Sequence, residues 1–232
     1  MLQQITVIAF DLDDTLWSCS PTIASAEKAL YDFLALHYPR ITECYSEAEL
    51  LAKRSQFARD RTRYGAGLSA MRRAFLRFLA WEFNYPAAHL VNAGFAVFFR
   101  ARQQVTFYAE VLSALERLQQ NYRLGAISNG NASIKHVGLG HLIEYSVSAD
   151  DLNIAKPDRR IFHKLADYFA TSPAQILYVG DHPDYDVVGS RRASMHPVWM
   201  NRANQDWPLR LPRPGYQVCD LQQLEELLVD YQ

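Results

Sequence analysis

Cysteine is scarce. Cys19, Cys44 and Cys219 are the three in 232 residues, far apart and without a CxxC pair. That excludes a disulfide framework and a thiolate zinc site, and it fits a reducing cytoplasm. An excess of one charge is also missing: 24 Lys and Arg face 25 Asp and Glu, for a net charge of -1. Whole-surface attraction to nucleic acid is therefore not expected, although a local patch stays open. Long hydrophobic runs are missing too. The first apolar stretch meets Asp11 after six residues and follows no basic segment, so it reads neither as a signal peptide nor as a membrane span. A later one, Leu90 to Phe99, is broken by Asn92 and Gly94. Internal repeats and low-complexity tracts are absent. What is present is 49% apolar and 21% charged, an ordinary globular composition with material for one to two domains.

The chain is organised around Ile5 to Leu16, ITVIAFDLDDTL. A continuous, partly β-branched run of that kind reads as a buried parallel strand. It ends in Asp11, Asp13 and Asp14. Two like charges about 4 Å apart repel by about 4 kcal/mol at an effective dielectric near 20. Either a cation gathers these carboxylates or one of them holds a proton. Ligand crevices of open α/β sheets lie at the carboxyl ends of the strands, which makes this a candidate cation site. The plain alternative is a solvated acidic turn in which an Asp caps a helix.

Residues 17–104 carry helix signals and no strand signal. Ser20 and Pro21 suit an N-cap and first helical position, followed by Ile23, Ala26, Leu30, Phe33 and Leu34 at helical spacing up to Pro39. Ser46 and Glu49 form a capping box for a second helix to about Arg59. Gly65 and Gly67 interrupt. Leu68, Met71, Phe75, Phe78 and Leu79 mark a third helix, and Pro86 starts a fourth. The expectation is a four-helix insert at 17–104 within a core made of 1–16 and 105–232.

From Val105 onward helix and strand alternate. Strands are expected at Leu124–Ile127, Tyr145–Ala149, Ile176–Val179, Pro197–Met200 and Tyr216–Cys219. Helices are expected around Val111–Leu118, from Asn131 to His136, at Ile161–Phe169, from Asp186 to Met195, and after Asp220. Such βα units give an α/β fold, a doubly wound, mostly parallel, Rossmann-like sheet with helices on both faces.

Polar residues then fall at strand ends. Asp11 and Asp13 follow the first strand, Ser128-Asn129-Gly130 the second, Lys156-Pro157 lies past the third, and Gly180-Asp181 ends the fourth. Parallel strands bring these ends to one edge, and agreement across four of them is hard to assign to chance. The set suits phosphoryl transfer. A carboxylate can be the nucleophile, and a second can protonate the leaving alcohol and then activate water. Hard oxygen ligands favour Mg²⁺. Lys156 and the Ser128 hydroxyl can neutralise phosphate oxygens, and the Asn129 and Gly130 N–H groups near a helix start can cradle them.

This ordered set, Asp11-Leu12-Asp13-Asp14-Thr15, Ser128-Asn129-Gly130, Lys156-Pro157 and Gly180-Asp181 through Asp186, resembles the four motifs of the haloacid dehalogenase superfamily. The helical insert between the first and second motifs resembles one of its cap types. The resemblance implies Asp11 as nucleophile, Asp13 as general acid/base, and Ser128 and Lys156 as phosphate ligands. It implies Mg²⁺ held by Asp11, the Asp13 carbonyl and Asp181, with Asp186 as the outer carboxylate. Asp14 is then not catalytic, and Thr15 orients the first loop. His182 stands where a small or acidic residue is usual. Dehalogenases of the family lack the second carboxylate, because displacing halide needs no proton, so Asp13 favours phosphate esters. The cap lysines Lys28 and Lys53 show no context for Schiff-base chemistry. Sugar phosphomutases keep both aspartates and remain an alternative, as do a haloacid dehalogenase on the same fold, a receiver-like phospho-Asp signalling module and a cap used for partner binding. FDLDDTLW, ISNGN and Asp60–Arg63 look most like bacterial flavin-pathway phosphatases acting on FMN and ribityl phosphates. The implied partner is a small phosphate ester, with neither nucleic acid nor membrane, for a monomer or homodimer.

Three further features have two readings. Lys53, Arg54, Arg59, Arg61, Arg63, Arg72, Arg73 and Arg77 surround a single acid, Asp60. They form either an anion-attracting cap surface or, for most of them, a solvated helix face. Arg61 and Arg63, at an inter-helix turn, are the best candidates for substrate contact. Trp17 either stacks on a substrate ring or packs beside the hinge. The six histidines other than His182 show no ligand spacing and read as structural or exposed.

Overall fold

The computed structural model describes residues 5–59, 67–208 and 210–229. The chain forms two compact units, Met1–Ser18 with Thr106–Gln232 and Cys19–Val105. None of the described helices is long and apolar enough to cross a membrane.

The first unit holds a six-stranded sheet in the order β3-β2-β1-β4-β5-β6. The strands are β1 Val7–Phe10, β2 Arg123–Ser128, β3 Tyr145–Ser148, β4 Ile176–Gly180, β5 His196–Met200 and β6 Tyr216–Val218. Every pairing is parallel. β1 lies between β2 and β4, buried along its length, which is why its sequence runs apolar without alternation. The chain goes outward from β1 through β2 to β3, then returns to β1's other side with β4. That reversal is a topological switch point. Phe10 pairs with Ala126 and with Val179, so Asp11, Ser128 and Asp181 leave the sheet at one edge.

Three core segments differ from the expectation. Asn131 to His136 forms turns and no helix. The Leu139 N–H reaches back five residues to the Ile134 carbonyl, and Gly138 has φ +93, so the local bonding is too wide and too short to propagate. The segment from Asp186 onward begins earlier, as a π-helix at Pro183–Val188, and continues as an α-helix at Gly189–Arg192. β3 stops at Ser148, which caps the helix Ala149–Leu152 reciprocally with Asp151.

The second unit shows five helices among the described residues: Cys19–His37, Pro39–Cys44, Glu47–Phe57, Leu68–Glu82 and Ala87–Arg102. The unexpected one, Pro39–Cys44, carries Pro39 in its first turn, where the missing N–H costs nothing. The first helix starts at Cys19, so Ser20 lies inside it and is not its cap. The core comes from Leu30, Leu34, Phe75, Leu76, Leu79, Leu90 and Phe98. Arg72 belongs to that core. It is 5% exposed, pairs twice with Glu27 at 3.0 and 2.7 Å, and lies 3.4 Å from the Phe98 ring centroid. It is neither a solvated charge nor an anion trap. Arg61 and Arg63 fall outside the described residues.

Candidate active site

The Asp11 N–H donates to the Val179 carbonyl at 2.8 Å, carrying the β1–β4 ladder one residue past the strand. This fixes the Asp11 carboxylate at the sheet edge, nearly buried. The following loop turns sharply. Asp14 adopts a left-handed conformation, φ 60, which a short polar side chain tolerates, and its N–H donates to the Trp17 carbonyl at 2.7 Å. Asp13 is half-buried, and its Oδ1 accepts the Trp17 indole N–H at 2.9 Å.

Lys156 is the hub. Its three N–H groups are shared among four acceptors, Asp11 Oδ1 at 2.5 Å, Asp186 Oδ1 at 2.6 Å, the Ile127 carbonyl at 3.1 Å and the Tyr178 hydroxyl at 3.1 Å. Burial alone would push its pKa down. The Asp11 and Asp186 carboxylates more than offset this and leave it above the ordinary lysine value.

One oxygen from each of Asp11, Asp181 and Asp186 lies within 4.8 Å of the others. The Asp13 side chain is not in this cluster. Three carboxylates against one ammonium are short of positive charge, and the titration shifts register the shortage. Burial, then repulsion from Asp186 and Asp181, pushes the Asp11 carboxyl well above its usual range against the pull of Lys156. Burial and Asp186 push Asp181 up to about 7, again against Lys156. A hard donor set with this deficit fits a divalent cation such as Mg²⁺. Asp186 already serves protein donors: Oδ1 takes Lys156 and the Tyr178 hydroxyl at 3.1 Å, and Oδ2 takes the His182 N–H at 2.9 Å. That suits an outer carboxylate.

Because its folded pKa lies above the unfolded one, Asp181 contributes stability below about pH 4 that is lost as pH rises through about 7. A cation held by these carboxylates would remove this loss. Mg²⁺ at about 100 times its dissociation constant is expected to add about 2.7 kcal/mol. The thermal-shift gain should be larger near pH 8 than near pH 5. Equal gains at both would contradict the assignment of the cation to these carboxylates.

The close approach of Asp186 requires Gly180. A Cβ there would lie 2.4 Å from Asp186 Cγ. Gly180→Ala is therefore expected to displace Asp186 from Lys156, costing about 1–3 kcal/mol in melting experiments and lowering turnover. Gly189 lies against Phe162 and Pro157, with 3.0 and 3.1 Å available to a Cβ. His182 caps the π-helix, its Nδ1 accepting from Asp184 N at 3.2 Å and Tyr185 N at 3.1 Å. Its position is thus explained by turning the chain so that Asp186 faces back.

Four roles are corrected or added. Trp17 is wholly buried, with its indole N–H on Asp13 and its ring 5.7 Å from that of Phe107, so it cannot stack on a substrate. The Gly130 N–H donates to Ser128 Oγ at 2.9 Å, and no helix starts after it, so the expected helix-terminus cradle is not formed. Asn129 instead clamps the Lys156 backbone, accepting from its N–H at 2.7 Å and donating to its carbonyl at 3.1 Å. Tyr178 was not singled out by the motifs, yet its hydroxyl bonds both Lys156 and Asp186. Its one signal is a hydroxyl within a fully buried strand, which must find a partner. Thr15 approaches Asp181 Oδ1 at 3.5 Å, and the Trp199 indole holds the Asp181 carbonyl at 2.8 Å.

A parallel switch-point sheet bearing this Asp, Ser, Lys and Asp set is the arrangement of a phosphoryl- or halide-displacing hydrolase. The sequence model of haloacid dehalogenase-like hydrolases matches residues 5–194, and the chain belongs to that family of enzymes. It is 28% identical to the 5-amino-6-(5-phospho-D-ribitylamino)uracil phosphatase YigB of Escherichia coli, with 98% of each chain covered. It is 26% identical to a glyceraldehyde 3-phosphate phosphatase of Methanopyrus kandleri, covering 85% of this chain and 84% of that one. A crystal structure of a 2-haloacid dehalogenase from Pseudomonas syringae pv. Tomato DC3000 matches with a TM-score of 0.89 at 34% identity, covering 98% of this chain and 100% of that one. The phosphatase relatives support phosphatase activity, and dehalogenases share the fold.

Proposed function

We propose that this protein hydrolyses a small phosphate monoester, FMN or a related ribityl or sugar phosphate, using Mg²⁺ and a phosphoryl group carried on Asp11. The observation that carries the reading is the ordered carboxyl of Asp13, two residues after the nucleophile and held by Trp17. Displacing a halide consumes no proton, whereas expelling an alkoxide does.

Ser128 and Lys156 would bind the non-bridging phosphate oxygens, with Asn129 holding the Lys156 backbone in place. Asp11 attacks phosphorus, the P–O ester bond breaks, and Asp13 gives its proton to the departing alkoxide. Water then attacks the same phosphorus while Asp13 takes its proton, which releases inorganic phosphate and restores Asp11. A bound Mg²⁺, held by Asp11, Asp181 and the Asp13 carbonyl, would neutralise charge on the phosphoryl oxygens. The substrate class is supported by the resemblance of FDLDDTLW and ISNGN to flavin-pathway phosphatases and by the name of the E. coli relative. Action as a monomer or homodimer in a reducing cytoplasm, without nucleic acid or membrane, belongs to the same proposal.

A panel of FMN, sugar phosphates, nucleotides and (S)-2-haloacids, run with and without Mg²⁺, tests it. Phosphate release from FMN or a ribityl or sugar phosphate, abolished by EDTA, is expected. Halide release without phosphate release would overturn the reading.

A further inference from the structure

We infer that Trp17 is a positioning residue that holds Asp13 in the orientation for proton transfer, an inference resting on the phosphatase reading above. The indole is an unusual group to bury at a loop start, and here its only polar atom is spent on the Asp13 carboxylate, Nε1 to Oδ1 at 2.9 Å. The side chain is 0% exposed.

The tryptophan itself is fixed from several directions. Its ring meets Phe107 edge-on at 5.7 Å and 70°, and its backbone bridges both Asp13 and Phe107. Its carbonyl takes the Asp14 N–H, and the neighbouring Leu16 carbonyl takes the Tyr108 N–H at 3.1 Å. The Thr15 carbonyl accepts from Arg202 Nε at 2.9 Å, while the same guanidinium grips Glu110 at 2.7 Å. The donor is therefore set on a rigid frame, whereas Asp13 has two rotatable side-chain bonds and is only half-buried.

The chemistry of the donor matters. An indole N–H donates and cannot accept. That bond is strongest when Oδ1 is the unprotonated oxygen, so it favours the transferable proton on Oδ2. The tryptophan thereby selects which oxygen faces the leaving group and, in the second half-reaction, which oxygen receives the proton from water.

Trp17→Phe keeps the ring and its packing and removes only the donor. The readout is kcat/KM for two esters: p-nitrophenyl phosphate, whose leaving anion needs little protonation, and an alkyl phosphate, whose alkoxide needs it fully. General acid catalysis is worth about 10²–10⁴-fold. Misplacing the acid is expected to lower the alkyl value by about tenfold or more while the aryl value falls by less than about threefold. In an Asp13→Asn background the same change should add no further selectivity. Phe107→Leu trims the packing but keeps the donor, and it should leave the alkyl-to-aryl ratio as in the wild type. Parallel loss on both esters in Trp17→Phe, or no loss on either, would overturn the inference. If Trp17→Phe does not fold, a changed ratio in Phe107→Leu would overturn it, and an unchanged ratio alongside an aryl-sparing loss in Asp13→Asn supports it. Failure of the phosphatase reading looks different, because the wild type would then hydrolyse neither ester.

Discussion

Asp11→Asn should lower phosphate-ester turnover by at least about 10⁴-fold and leave the protein folded. An amide is nearly isosteric with the carboxylate but cannot attack phosphorus. Its effect on stability should be small, for a reason visible in the site. Burial and the neighbouring carboxylates already press the Asp11 carboxyl toward its protonated form, so a neutral side chain removes repulsion as well as an ion pair. Lys156 keeps Asp186, Tyr178 and the Ile127 carbonyl as partners. Steady-state kinetics and a thermal melt on one preparation separate the two effects. Turnover within about tenfold of wild type would remove Asp11 from the mechanism.

Lys156→Met should fail in both respects. The ammonium is the positive centre shared by Asp11 and Asp186, with both partners almost wholly buried. Removing one member of a buried ionic set costs about 3–5 kcal/mol, because the others stay buried without compensation. Turnover should fall by about 10²–10³-fold with loss of the charge facing the phosphoryl oxygens. The stability deficit should shrink toward acidic pH, where Asp11 and Asp181 hold protons and need less counter-charge. A deficit independent of pH would indicate that the side chain acts by packing alone.

The parts of this site that were legible in the sequence are those set by strand period and strand ends. An uninterrupted apolar run stopping at Asp11 announces a central parallel strand, and parallel strands put their carboxyl ends on one edge whatever lies between them. Asp11, Ser128 and Asp181 follow from that alone; Lys156, beyond the short helix that follows β3, was legible only as a lysine in the loop past the third strand. Asp186 needed the family resemblance, because a π-helix, not a regular α-helix, turns it back, with His182 as cap. Tyr178 and Asn129 act through long-range hydrogen bonds to Lys156, and no local pattern marks a partner 22 or 27 residues away. Trp17 carries no periodic signal either; one of its ring contacts, Phe107, arrives only after the whole inserted unit. The Asn131–His136 expectation failed where a wide turn closed on Ile134 replaced regular helical bonding. Arg72 read as surface charge because its partner, Glu27, is on another helix.

The most direct measurement is rapid acid quenching of the enzyme during turnover of a ³²P-labelled phosphate ester with Mg²⁺, followed by peptide mapping. Label should appear on the peptide containing Asp11 within the first turnover, released by base or hydroxylamine as an acyl phosphate is, and absent from Asp11→Asn. Ester hydrolysis that leaves no label on the protein, or label on any other residue, would contradict the mechanism.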